Sequence, residues 1–131
     1  MDEATREEVD RWLVKARRDL DSARRLLPGV PPYRDTASYH CRQAAEKGLK
    51  GFLTAKLQPF PKTHDLTVLL KLAEPYAADF AGLASAAVVL TPYATLFRYP
   101  DSVLEPDDDD VREALILAGD VVQTVSAVLA G

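Results

Sequence analysis

The sequence predicts an all-α fold, an antiparallel up-and-down bundle of four to five helices. Apolar residues recur at helical spacing from Val9 to Leu27 and again from Val111 to Leu129. Between them, Ala37, Cys41, Ala44, Ala45, Gly48 and Phe52 share one side of a helix at 100° per residue. Nowhere does the pattern require a strand. At 131 residues, 47% of them apolar and 27% charged, the chain is read as a single helical domain over 1–131 with one core.

The first helix is the clearest element. Val9, Trp12, Leu13, Ala16, Leu20, Ala23 and Leu27 fall within about 100° of one another, the width of a core-facing stripe. Thr5 followed by Glu8 is a capping-box pattern, which starts the helix near residue 6. Leu27-Pro28-Gly29 ends it. Arg17, Arg18, Arg24 and Arg25 lie off the stripe among Asp19 and Asp21, and read as solvated surface.

Pro28–Arg34 is a rigid connection, because proline removes donors and holds its predecessor extended. Asp35 or Thr36 can cap the second helix, which runs to about Lys56. On this helix Ala44, Ala45 and Gly48 allow a neighbour to approach closely. Tyr39, Gln43, Glu46, Lys47 and Lys50 project from the other side, with Glu46 and Lys50 spaced to pair. Taken alone, that side reads as a solvated face.

Leu57–Thr63 forms an extended loop whose Phe60 plugs an end of the core. Thr63 then caps a short helix carrying Leu66, Leu69, Leu70 and Leu72, interrupted at Glu74-Pro75. Asp79–Leu90 is apolar and could be helix or strand by period alone; its alanines favour helix. Thr91-Pro92 fits an N-cap followed by proline at the first helical position, giving either a kinked helix or two helices that meet there. The stretch ends at Arg98-Tyr99-Pro100. Asp107–Asp110 place negative charge at the start of the last helix, where its dipole favours it. That helix carries an inner stripe of Val111, Ala114, Leu115, Ala118, Val121, Val122, Val125 and Leu129.

The formal charge of −4 argues against a nucleic-acid coat or a membrane-surface protein, though not against a local basic cleft. A single cysteine on the buried side of the second helix fits a reducing cytoplasm. No signal-peptide region opens the chain, and no uninterrupted run of 18 apolar residues would span a membrane. His40 and His64 are too few for a metal site, no glycine-rich phosphate loop is present, and no cofactor is expected. Helix-start electrostatics explains the four aspartates better than a cation site does. Ile116, Ala127, Leu53 and the apolar Asp79–Leu90 stretch exceed what one small bundle must bury, so a twofold interface is expected.

Three polar clusters end on neighbouring elements: Gln43/Glu46/Lys47/Lys50, then Lys62-Thr63-His64-Asp65, then Arg98-Tyr99. Converging, they would form a cradle for a phosphate or base. Arg98 would give bidentate contacts and Tyr99 a stacking surface. The expected ligand-binding residues are therefore Arg98, Tyr99, Lys47, Lys50, Gln43, Lys62 and His64.

W-x3-A-x2-D-L at Trp12–Leu20, R-Q-A-A-E-K-x-L-K at Arg42–Lys50, K-T-H-D-L at Lys62–Leu66 and R-Y-P-D at Arg98–Asp101 occur in that order. In this order and spacing, over nearly the whole chain, they resemble the HEPN family (higher eukaryotes and prokaryotes nucleotide-binding domain). The resemblance implies a helical bundle, usually a homodimer. It also implies a minimal nucleotidyltransferase partner in a two-component module of toxin–antitoxin type, with a nucleotide or RNA as ligand. Many members are metal-independent ribonucleases that use an arginine followed, after four to six residues, by a histidine on the late helix. Here Arg98 is followed by YPDSVLEP, with no histidine. Arg34-x5-His40 meets the spacing at the start of the second helix, the wrong place, and reads as coincidence. Arg98 carries over as the cleft arginine, with Tyr99 and Pro100 beside it. The resemblance thus favours a non-catalytic binding and interaction module. The alternative is a ribonuclease with a displaced histidine, His64 or His40.

Overall fold

The structure is a computed structural model and describes residues 1–97, 100 and 105–131. Among the described residues five α-helices form the bundle: α1 (Glu3–Leu26), α2 (Arg34–Ala55), α3 (Leu66–Ala73), α4 (Ala84–Leu90) and α5 (Asp108–Ala130). No strand occurs among the described residues. α2 is the central helix, touching α1, α5 and α3 on successive sides.

α1 starts one turn earlier than Thr5 and Glu8 suggested. The Asp2 carboxylate accepts the Thr5 amide at 2.8 Å, which places Thr5 inside the first turn. Val9, Leu13, Ala16, Leu20 and Ala23 are buried as the stripe predicted, whereas Trp12 and Leu27 are only half-buried. Asp19 departs from the solvated reading. It sits beside Leu20 at the edge of the stripe and is 7% exposed.

On α2 the small-residue side is buried from Ala37 to Phe52. The tight contact, however, is at Gly51 and not at Gly48. A Cβ on Gly51 would lie 2.9 Å from Trp12 Cβ, but one on Gly48 would meet Val122 at an ordinary 3.6 Å. Neither Asp35 nor Thr36 caps the helix; Tyr33 occupies the cap position without a side-chain bond. Arg34 instead reaches across to Asp108 (Nε to Oδ1, 2.7 Å), tying the start of α2 to the start of α5. At the other end Leu57 adopts φ 54°. Its amide bonds to Thr54 O, and the Gln58 amide to Leu53 O at 2.9 Å, a left-handed helix stop filled by leucine instead of glycine.

α3 is capped by Asp65, which accepts from the Thr67 amide at 2.9 Å; Thr63 accepts from the Asp65 amide one step earlier. Pro75 ends it in a 3₁₀ turn, Glu74–Tyr76. A second 3₁₀ segment, Ala78–Leu83, leads into α4 and plants Phe80 edge-on against Phe52, centroids 4.6 Å apart. Phe60 is half-buried against the same core. Thr91 opens no new helix. Its hydroxyl donates to Ala87 O and accepts from the Leu66 amide, so α4 kinks into a 3₁₀ turn, Thr91–Ala94, while α3 is pinned to it.

Asp107 and Asp110 form a reciprocal capping box at the start of α5. The inner stripe is buried except for Leu115 and Leu129, which are half-buried. By length and composition α5 could cross a bilayer, with a mean hydropathy of 1.5 over its apolar window. Its inner stripe nevertheless lies in the core shared with α2. The surplus of apolar residues expected from sequence largely disappears within the chain. Leu53 is fully buried, and Phe80, Leu83, Ala86, Ala87 and Leu90 enter the core. Of that set Val88, Ile116 and Ala127 stay exposed, along with the small Ala81 and Ala84.

Candidate ligand groove along the second helix

With its small-residue side committed to α1 and α5, α2 turns its polar side toward α1 and the loop before α3. That side is not simply solvated: Arg42 is fully buried and Glu46 is 6% exposed. Arg42 Nη2 donates to Glu46 Oε1 at 2.7 Å, one helical turn away. The same nitrogen lies 3.0 Å from His64 Nδ1. A guanidinium has no acceptor, so Nδ1 of His64 must be unprotonated. Lys50 completes this cluster, its Nζ 3.7 Å from Glu46 Oε2 and within 6.0 Å of the Trp12 ring and 5.7 Å of the Phe60 ring. Arg42 Nε has no partner among the described residues.

One turn round the helix a second cluster joins α2 to α1. Lys47 Nζ donates to Asp19 Oδ2 at 2.6 Å, and His40 Nδ1 lies 2.8 Å from Asp19 Oδ1. An ionised carboxylate only accepts, so His40 carries its proton on Nδ1. Between the clusters, Gln43 Nε2 donates to Tyr39 Oη at 2.7 Å. Beside them a cleft of about 320 Å³ is lined by Asp35, Thr36, Tyr39, His40 and Phe97. Tyr93 stacks on Phe97 with centroids 5.8 Å apart. Burial, with Asp110 nearby, raises the Tyr93 phenol above its ordinary value.

The structure therefore brings Gln43, Lys47, Lys50 and His64 to one side of α2, but as neighbouring pairs and not as a common ring of free cations. Lys47 is held by Asp19, Lys50 shares Glu46 with Arg42, and His64 accepts from Arg42 beside them. An incoming anion competes with those carboxylates or draws on other cations. Lys62 is exposed on the loop, with no ion pair among the described residues. Arg98 and Tyr99 lie outside the described residues. Arg34 and His40 serve different partners, Asp108 and Asp19. Among the described residues no cluster of three or more histidine, cysteine or carboxylate side chains could hold a metal ion.

Sequence reasoning did not single out Asp19 or Arg42 for the site, and it named His40 only as a displaced histidine in the alternative ribonuclease reading. Arg42 and Glu46 are spaced as a helical ion pair, a signal that was present. Asp19, on the margin of an apolar stripe, needed a partner from another helix to be recognised.

An all-helical bundle with a polar, partly buried side on its central helix defines a class of small helical domains. A HEPN domain model matches residues 9–128, and the chain belongs to that family. Its fold is similar to the crystal structure of TT1696 from Thermus thermophilus, at 29% identity, covering 92% of this chain and 97% of that one, with a TM-score of 0.75. It is also similar to ST0689, an archaeal HEPN homologue, at 26% identity over 91% of this chain and 95% of that one, TM-score 0.68. No curated protein matches the chain.

Proposed function

We propose that this HEPN domain is a non-catalytic binding and interaction module that takes a nucleotide or RNA phosphate in the groove beside α2. In this reading it acts in the cytoplasm as a homodimer and docks a minimal nucleotidyltransferase in a two-component, toxin–antitoxin type system. One observation carries the ligand site: Phe97, which immediately precedes Arg98 in the chain, lines the same cleft as Tyr39 and His40. The α2 lysines are already paired with carboxylates, and an arginine is the side chain suited to bidentate contacts with a phosphate. Family membership supports the partners, and the exposed Val88 and Ile116 are available to an interface. The sequence after Arg98 lacks the histidine of the ribonuclease pattern, which favours binding without cleavage.

Binding of labelled uridine nucleotides and oligouridylate to the purified protein tests this. Arg98→Ala should weaken binding by about 1–3 kcal/mol, as for a lost hydrogen bond between charged groups. Unchanged affinity in that variant contradicts the site.

A second reading, metal-independent RNA cleavage with a displaced histidine, is favoured by the Asp19–His40 pair. Asp19 fixes the tautomer that leaves His40 Nε2 as a base on a side chain lining the cleft. Cleavage in the presence of chelator, lost on His40→Ala or His64→Ala, would establish this reading in place of the first.

A further inference from the structure

Two of the α1 arginines that read as plain surface, Arg18 and Arg25, line a shallow groove made of three adjoining depressions. At its N-terminal end Trp12, Arg11, Lys15 and Glu8 line an open depression of about 290 Å³. Lys15 also lines the next depression, of about 310 Å³, with Arg18, Asp19, Ser22 and Lys47. Arg18 and Ser22 then continue into a third, of about 230 Å³, with Asp21 and Arg25. Shared residues join the three along one side of α1, and from Trp12 to Arg25 a helix rises about 20 Å.

The charges in this groove are not evenly matched. Asp19 is taken by Lys47 and His40, and Asp21 by Arg24 at 3.3 Å. Arg11, Lys15, Arg18 and Arg25 have no ion-pair partner among the described residues, and neither has Glu8 at the Trp12 end. Four uncommitted cations thus face one uncommitted carboxylate on a chain whose net charge is −4. A row of unpaired cations with an aromatic ring at one end is the pattern that holds a single-stranded backbone while a base stacks.

We infer that the α1 groove binds a single-stranded polynucleotide, with Arg18, Arg25 and Lys15 meeting successive phosphates and Trp12 stacking a base. The inference rests on the phosphate-binding reading above but uses a different surface from the Arg98 cleft. Asp19, His40 and Lys47 form the partition between the two, since His40 lines the cleft and Lys47 lines the groove. A strand on α1 would therefore lie directly beside the cleft. An acidic protein segment would satisfy the charges but not the aromatic end.

Trp12 is the only tryptophan in the chain, so its emission has one source, and the α1 variants separate a signal from this groove from one passed through Lys50 beside the ring. The experiment titrates the full-length protein with single-stranded oligouridylate, reading Trp12 fluorescence and the anisotropy of a labelled strand over a salt series. The expected result is quenching that uridine monophosphate and polyglutamate do not reproduce. Arg18→Glu with Arg25→Glu should reduce affinity at least about tenfold. It should also flatten the log–log salt dependence by about 1.4, two phosphate contacts at about 0.7 each. Both side chains are exposed, and the milder Arg18→Gln with Arg25→Gln should show an intermediate loss. Absence of quenching, equal competition by polyglutamate, or wild-type affinity in both double variants overturns the inference. If binding is lost on Arg98→Ala and untouched by the α1 variants, the cleft reading stands and this one fails. If the α1 variants abolish binding and Arg98→Ala does not, the groove stands without the cleft.

Discussion

Lys47 Nζ sits 2.6 Å from Asp19 Oδ2, joining the middle of the central helix to the first helix through a carboxylate only 7% exposed. His40 holds the other oxygen. Lys47→Met removes the charge and leaves a nearly buried carboxylate with one partner. The expected loss is about 2 kcal/mol, in the range for hydrogen bonds to charged groups. Urea denaturation measures it, and the paired variant Lys47→Met with Asp19→Leu should recover part of the loss.

Glu46 is the shared carboxylate partner of Arg42 and Lys50, and the Arg42 guanidinium is fully buried. Glu46→Ala strands that charge and should destabilise by about 3–5 kcal/mol, the cost of breaking a buried ion pair from one side. Calorimetry should show a correspondingly large fall in Tm. The exposed Arg24–Asp21 pair is a control, and its removal should change stability by less than about 1 kcal/mol.

The two glycines of α2 should behave oppositely on replacement by alanine. Gly48 has room for a methyl beside Val122, so Gly48→Ala should stabilise by about 0.5–1 kcal/mol through helix propensity. Gly51 does not, because its Cβ would approach Trp12 Cβ to 2.9 Å. Gly51→Ala should separate α1 from α2 and destabilise by about 1–3 kcal/mol, as overpacking does. Thermal unfolding of the two variants side by side checks the sign of each.

Burial pushes the Cys41 thiol up to about 12. The unfolded thiol ionises near its ordinary value, so between about pH 9 and pH 12 the unfolded state binds fewer protons than the folded one. This contribution to stability is intact below pH 9 and falls as pH rises, by up to about 1.4 kcal/mol per unit. Subtracting the pH profile of Cys41→Ala from that of wild type isolates it. At neutral pH the folded thiol should resist a thiol reagent until the protein is unfolded.

The helices were legible in the sequence because their stripes repeat at 3.6 residues, and stripe burial is what α1 and α5 mainly do. Their starts were less legible. Asp2 competes with Thr5, and Asp65 with Thr63, for neighbouring amides, and periodicity does not rank such competitors. The polar side of α2 was recognised, but its meaning depended on partners distant in sequence. Asp19 converts Lys47 from a free cation into a paired one, and His64 folds over Arg42 and Glu46. The surplus of apolar residues was overestimated because Leu53 and Phe80 pack within the chain, where a helical wheel of one element cannot show them. Arg98 and Tyr99, expected to close the site, lie outside the described residues.

Amide chemical shifts during a titration with uridine monophosphate test the groove beside α2 most directly. The account predicts perturbations centred on Thr36, Tyr39, Gln43 and Phe97, with Arg98 among them. Perturbations confined to the outer face of α5 around Ile116 and Ala127, or none at saturating nucleotide, would contradict it.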